Sequence, residues 1–189
     1  ETCMTMNDRW GYNMHDKNFK STTDLLQKLS DIVSKNGNFL LNIGPKADGT
    51  FPDESIERLS EIGDWMDVNG ESIHGTVGSP FGEIAWGRAT QKFHDDSTMI
   101  YMHVFDWPEN GKLHIPGLAG TVTSAKILGG NDVPFFIGKG EVIIDLPATM
   151  PNEHIGVVAV EVEGKPVVYE VPVITSPADV FVNTVTVSL

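Results

Sequence analysis

The chain has 189 residues, 40% of them hydrophobic and 21% charged, which excludes global disorder. Lys and Arg number 13 against 26 Asp and Glu, a net charge of −13. Such a chain repels phosphate backbones and anionic lipid, so neither nucleic acid nor a membrane surface is an expected partner. The acidity is even, with 7 basic and 13 acidic side chains in residues 1–78 and 6 and 13 in residues 79–189. No apolar run reaches the roughly 18 residues of a membrane-spanning helix. Cys3 is the single cysteine, so an intramolecular disulfide is excluded, while cytosol, periplasm and medium all remain compatible compartments.

Residues 1–78 read as alternating β and α. Residues 2–6 form a short strand candidate, followed by a polar loop holding Trp10-Gly11-Tyr12. Ser21, with Asp24 three residues on, is a capping-box variant that opens a helix. Leu25, Leu26, Leu29, Ile32 and Val33 make its apolar face, and Gly37 stands where a left-handed C-terminal cap is expected. The run Asn38-Phe39-Leu40-Leu41-Asn42-Ile43-Gly44-Pro45 predicts a strand buried on both faces, with Cys3 a small apolar filler in the strand before it. A second helix is expected from Pro52 to Asn69-Gly70, with Ile56, Leu59, Ile62 and Met66 as its stripe. This order implies parallel strands, and two βα units alone neither close a barrel nor cover a sheet.

Residues 79–189 change character, with the boundary near residues 75–80. Residues 99–105 alternate Ile100, Met102 and Val104 against Tyr101, His103 and Phe105. Pro108-Glu109-Asn110-Gly111 follows, and Asn-Gly is a strong hairpin signal. Further strands are expected at 121–128, 141–146, 155–162 and 165–171, the spacing of an antiparallel β-sandwich. The sequence opens at Glu1 rather than Met, and the alternating run at 180–189 has no turn signal after it, so a segment of a longer protein is expected.

Catalytic groups of α/β barrels lie at the carboxyl ends of strands and in the loops beyond them. Here those loops hold Asn7, Asp8, Arg9, Trp10, Tyr12, Asn13 and His15, then Asn42, Lys46 and Asp48. An indole beside amides and carboxylates suits a pyranose: the ring packs on its C–H face and the polar groups bond its hydroxyls. His94-Asp95-Asp96 reads as a turn rather than a metal site, since adjacent strand residues point to opposite faces. His74, His103, His114 and His154 have no ligand-like spacing. Trp86, Phe93, Tyr101, Phe105 and Trp107 read as sandwich core and packing rather than a sugar-binding face.

The motifs Glu1-Thr2-Cys3-Met4-Thr5, Trp10-Gly11-Tyr12, Gly37 to Pro45 with Ala47-Asp48-Gly49, Val68-Asn69-Gly70-Glu71-Ser72-Ile73 and Trp107-Pro108-Glu109-Asn110-Gly111 occur in one order. Together they resemble the α-L-fucosidase family of retaining glycoside hydrolases, over about residues 1–173. The resemblance implies an α/β part followed by an all-β part. Residues 1–78 would supply the terminal βα units of a (β/α)8-like barrel, residues 79–174 an antiparallel β-sandwich, and residues 175–189 the start of a linker or further β module. It implies hydrolysis of α-L-fucosides through a covalent fucosyl-enzyme, with the aspartate nucleophile upstream of this segment. Glu1 matches the acid/base glutamate of some members, and Trp10 and Tyr12 match the family's Trp-Gly-Tyr near the sugar site; Asn42 is kept as a substrate-binding candidate, although bonds to neighbouring backbone are the expected use of Asn38 and Asn42. No metal or organic cofactor is needed, because two carboxyl groups suffice. The expected partners are a fucosylated glycan or glycoside and either the rest of the barrel or a second copy. The alternative reading is a non-catalytic carbohydrate-binding or structural fragment.

Overall fold

A computed structural model describes residues 1–138 and 140–169. The expectations for 170–171, 175–189 and 180–189 lie outside the described residues.

The first part is β1 (Thr2–Thr5), α1 (Thr22–Val33), β2 (Phe39–Asn42) and α2 (Asp53–Asn69). β1 and β2 pair in parallel, Thr2 opposite Phe39 through Thr5 opposite Asn42. Ser21 and Asp24 make the expected capping box. The left-handed residue after α1 is Asn36, at φ 59°, rather than Gly37. Asn tolerates that conformation, and Gly37 serves a different need. Its amide donates to the Ile32 carbonyl (2.9 Å), and a Cβ there would stand 2.8 Å from the Ile32 side chain. β2 is not buried on both faces: Leu40 is 47% exposed and Cys3 beside it is exposed, because among the described residues each strand has one neighbour. The stripe of α2 is likewise half covered. Ile62 and Met66 pack inward with buried Trp65, while Ile56 and Leu59 are exposed.

The second part is all β: β3 (Gly87–Phe93), β4 (Ser97–Val104), β5 (Lys112–Pro116), β6 (Leu118–Ala119), β7 (Val122–Ile127), β8 (Phe135–Ile137), β9 (Glu141–Asp145), β10 (Gly156–Glu163) and β11 (Val167–Val168). One antiparallel sheet runs β3-β4-β10-β7, a second β5-β9-β8, and β6 pairs with β11. Ile100, Met102, Val104, Val158 and Val160 of the first sheet share one buried core with Leu113, Ile115, Val142 and Ile144 of the second. Burying each such side chain is worth about 1.5–3 kcal/mol. β3, β5, β6 and β8 were not expected as strands. The Asn110-Gly111 turn forms, with Gly111 at φ 68°, but joins no hairpin. It passes the chain from β4 to the opposite sheet, where Leu146 N–H donates to the Gly111 carbonyl (2.7 Å). The hairpin is β3–β4, turning at His94-Asp95-Asp96.

The alternation in β4 joins the two parts. Its odd-numbered residues face the helices: Tyr101, with Val157 and Ala159 of β10, packs on Leu26 and Trp65. Trp65 Nε1 donates to the Ile155 carbonyl (2.9 Å) and Arg88 Nε to Asp31 Oδ1 (2.5 Å). Asp31's carboxyl sits below its ordinary range: burial opposes this, but hydrogen bonds and charge from Lys35 and Arg88 prevail. Tyr101 is pushed up to about 12, by burial first and Glu71 second. Trp86 and Trp107 pack against the sandwich core and Phe105 against the helix-facing one, as expected, while Phe93 is half exposed.

His103 is fully buried between α1 and β3, its Nδ1 3.3 Å from Ser30 Oγ and its Nε2 3.3 Å from Thr90 Oγ1. Thr90 Oγ1 donates to the Ser72 carbonyl (2.6 Å), so the neutral tautomer protonated on Nε2 satisfies every partner. Burial lowers its pKa to about 4. The unfolded chain, with a histidine near 6.5, therefore binds the extra proton first, and stability present above pH 6.5 is lost as pH falls toward 4. The loss reaches about 3 kcal/mol. Guanidinium unfolding at pH 7.5 and 4.5 is expected to lose its pH dependence over this window in His103→Asn; equal dependence in both proteins would contradict this.

Candidate active site

Parallel pairing places the carboxyl ends of β1 and β2 side by side, at Thr5 and Asn42. Thr5 Oγ1 lies within hydrogen-bond reach of Asn7 Oδ1 (3.0 Å) and the Arg9 carbonyl (3.1 Å), turning the chain sharply. Lys20 Nζ donates to the carbonyls of Thr5 (2.9 Å) and Asn7 (3.1 Å). Arg58 Nε of α2 donates to the Lys20 carbonyl (3.1 Å), which anchors the same loop to the helix layer. Within the loop, Asp16 Oδ2 accepts from Asp8 N–H (3.1 Å) and Asn18 Nδ2 donates to Asp8 (3.1 Å).

Asn42 Nδ2 donates to the Trp10 carbonyl (2.7 Å). Gly44 lies against the next two residues, where a Cβ would stand 2.6 Å from Tyr12 N. Bare backbone at Gly44 thus lets Gly11 and Tyr12 rest on the end of β2. Trp10 is 58% exposed and Tyr12 45%, so both residues are open to a ligand. Asp48 accepts from Thr50 Oγ1 (2.7 Å) and Thr50 N–H (3.0 Å), which lowers its pKa, and Gly49 at φ 85° completes the expected turn. Lys17–Glu54 (3.4 Å) and Lys46–Asp53 (4.0 Å) cross between the loops and the start of α2. Glu54's carboxyl is lowered, first by its own backbone N–H and then by Lys17.

Trp10, Tyr12 and Asn42 are therefore brought together, and Asn42 acts on the loop rather than pointing at open solvent alone. Glu1 is not brought to them. It precedes β1 at the amino end, exposed, with the Cys3 thiol 3.8 Å from Oε1. A four-residue strand separates the two ends by roughly 13 Å. Lys20, Arg58 and Gly44 position the loop and were missed in the sequence; only the Gly44-Pro45 pair gave a signal. Among the described residues no group of three His, Cys, Asp or Glu is placed to hold a metal ion.

The α-L-fucosidase family model matches residues 1–71, the segment that builds both loops. An α-L-fucosidase of Dictyostelium discoideum is 31% identical over 170 residues, covering 82% of this chain and 35% of the relative. The chain thus spans about a third of the length of the curated relatives it matches. Among solved structures, α-L-fucosidase isoenzyme 1 from Paenibacillus thiaminolyticus superposes with a TM-score of 0.77 at 33% identity, over 86% of this chain and 39% of that one. An α-L-fucosidase from Bacteroides thetaiotaomicron, trapped as a covalent intermediate with 2-fluoro-fucosyl fluoride, gives 0.74 at 28% identity, over 84% and 37%.

Removing the Asn42 amide or adding a Cβ at Gly44 should loosen the Trp10 loop. Trypsin cleavage after Arg9 is expected to quicken about fivefold in Asn42→Ala, the cost of one hydrogen bond. Gly44→Ala is expected to exceed it, and parental rates in both would contradict the arrangement.

Proposed function

The chain belongs to the α-L-fucosidase family, and from that premise we propose that it supplies the closing βα units of the catalytic barrel and the β-sandwich of a retaining α-L-fucosidase. The observation that carries this reading is the coincidence of the family match over residues 1–71 with a parallel strand pair bearing Trp10, Tyr12 and Asn42 at its carboxyl end. Exposed Leu40, Ile56 and Leu59 support it, since these are the apolar surfaces that neighbouring barrel elements would cover.

In the proposed reaction, an aspartate carboxylate from the upstream barrel attacks the anomeric carbon of the fucoside. The bond to the leaving oxygen breaks, and an acid/base carboxyl group gives that oxygen its proton. Water then attacks the covalent fucosyl-enzyme, passing a proton back to the same carboxylate and freeing fucose and the aspartate. Retention requires the two carboxyl groups about 5–5.5 Å apart. The trapped covalent intermediate of the Bacteroides relative supports this route. The Trp10 ring packs on the sugar's C–H face, with Tyr12 beside it and Asn42 holding their loop. The acid/base role of Glu1 rests on its match to the family's motif, against a placement at the far end of β1 from Trp10, and is therefore tested separately.

The complete protein is expected to release 4-nitrophenol from 4-nitrophenyl α-L-fucoside; no release would contradict the reading. Trp10→Ala should raise KM about tenfold, the worth of a lost aromatic platform. Glu1→Ala should slow natural fucosides more than the aryl fucoside, whose leaving group needs little proton assistance. Equal losses on both would remove Glu1 from the acid/base role.

A further inference from the structure

Between α2 and the sandwich lies a cavity of about 390 Å³, the size of a small-molecule pocket. The carboxyl half of α2 forms one wall, Leu128-Gly129 after β7 a second, and the loop of residues 151–154 before β10 a third. That loop is held firmly. Asn152 Oδ1 accepts His154 N–H (2.8 Å) and Ile155 N–H (2.9 Å), and its Nδ2 donates to the Ile155 carbonyl (2.7 Å). The same carbonyl takes Trp65 Nε1 of α2, and Thr23 Oγ1 of α1 lies 2.9 Å from His154 Nδ1.

The lining combines two kinds of surface. Trp65, Val68 and Leu128 make it apolar, while Glu61, Asp64 and Glu153 bring three carboxylates, and no Lys or Arg lines it among the described residues. Asn69 adds an acceptor. It is 3% exposed, and its Nδ2 donates to the Trp65 carbonyl (3.0 Å), but its Oδ1 has no hydrogen-bond partner among the described residues. Gln91 Oε1 is the one side-chain polar atom among them that is both sealed off and unpaired, so Asn69 Oδ1 opens on free space, and the space beside Asn69 is this cavity. A nearly buried acceptor in that position calls for a donor. An anion is repelled by the carboxylates. A bare metal ion does not fit, since among the described residues no group of three His, Cys, Asp or Glu could hold one. An organic ammonium ion meets each demand: an N–H for Asn69, a positive charge for the carboxylates and hydrocarbon for the apolar wall.

We propose that this cavity is a binding site for an organic ammonium ion with an apolar body. The inference goes beyond the fucosidase reading, and the cavity shares no lining residue with the loops of Trp10 and Asn42. In titration calorimetry of the complete protein, 2-phenylethylammonium should bind saturably at one site. 2-Phenylethanol, which keeps the ring and loses the charge, should bind about tenfold more weakly. Asp64→Asn and Glu153→Gln, both at exposed positions, should each raise the dissociation constant about threefold, the worth of one exposed ion pair. Melting curves confirm that each variant folds, and saturating L-fucose should leave the affinity unchanged. Equal affinity for the alcohol, parental affinity in both variants, displacement by fucose, or no saturable binding up to about 10 mM would each overturn the site. None of these results bears on release of 4-nitrophenol from the aryl fucoside, so the two readings stand or fall separately.

Discussion

The structure depends on the antiparallel pairing of β4 with β10. These strands lie in the middle of their sheet and are covered on both faces, so their two sets of side chains serve two cores. Ile100, Met102, Val158 and Val160 close the sandwich, while Tyr101, Val157 and Ala159 form the floor for α1 and α2. A sheet buried this way has no free register. Sliding either strand by one residue would exchange the two sets and bury His103 among the aliphatic side chains of the sandwich. The neutral imidazole of His103, satisfied by Ser30 and Thr90, belongs to the helix-facing side only.

That floor reaches the candidate site through a short chain of contacts. Trp65 seats α2 on the sheet through its bond to the Ile155 carbonyl. From α2, Arg58 holds the Lys20 carbonyl, and Lys20 in turn grips the end of β1. Asn42 and Gly44 then seat Trp10 and Tyr12 on the end of β2. The aromatic loop therefore hangs from the strand pair by polar contacts, with its rings outward. The sandwich thus acts on the candidate site indirectly, by fixing the helices that fix this loop.

Much of this was legible in the residues. The Ser21–Asp24 capping box and the two-sided alternation of residues 99–105 are local signals that the structure repeats without change. The motifs of residues 1–71 pointed to the family before any coordinates did. β3 was missed because Arg88, Thr90, Gln91 and Lys92 give it a polar reading, although Arg88 and Thr90 are turned to Asp31 and Ser72 across the interface. The Asn110-Gly111 turn misled because a tight turn specifies local dihedrals, not which strands will pair. The buried character assigned to β2 and to the whole stripe of α2 presumed neighbours on every side. Among the described residues, Leu40, Ile56 and Leu59 have none that covers them. Within the site, the hydrophilic loops gave the residue types, but only parallel pairing separates Glu1 from Trp10.

Because one sheet serves both cores, the helices and the sandwich should open as a single cooperative unit rather than as independent domains. Native-state hydrogen exchange measures this directly. Amides of Leu26 in α1, Met102 in β4 and Val158 in β10 are expected to exchange with opening free energies equal within about 1 kcal/mol, at the value for global unfolding. If the α1 and α2 amides open several kcal/mol below those of β4 and β10, the helices are not held by the shared sheet, and the coupling of sandwich to site falls with it.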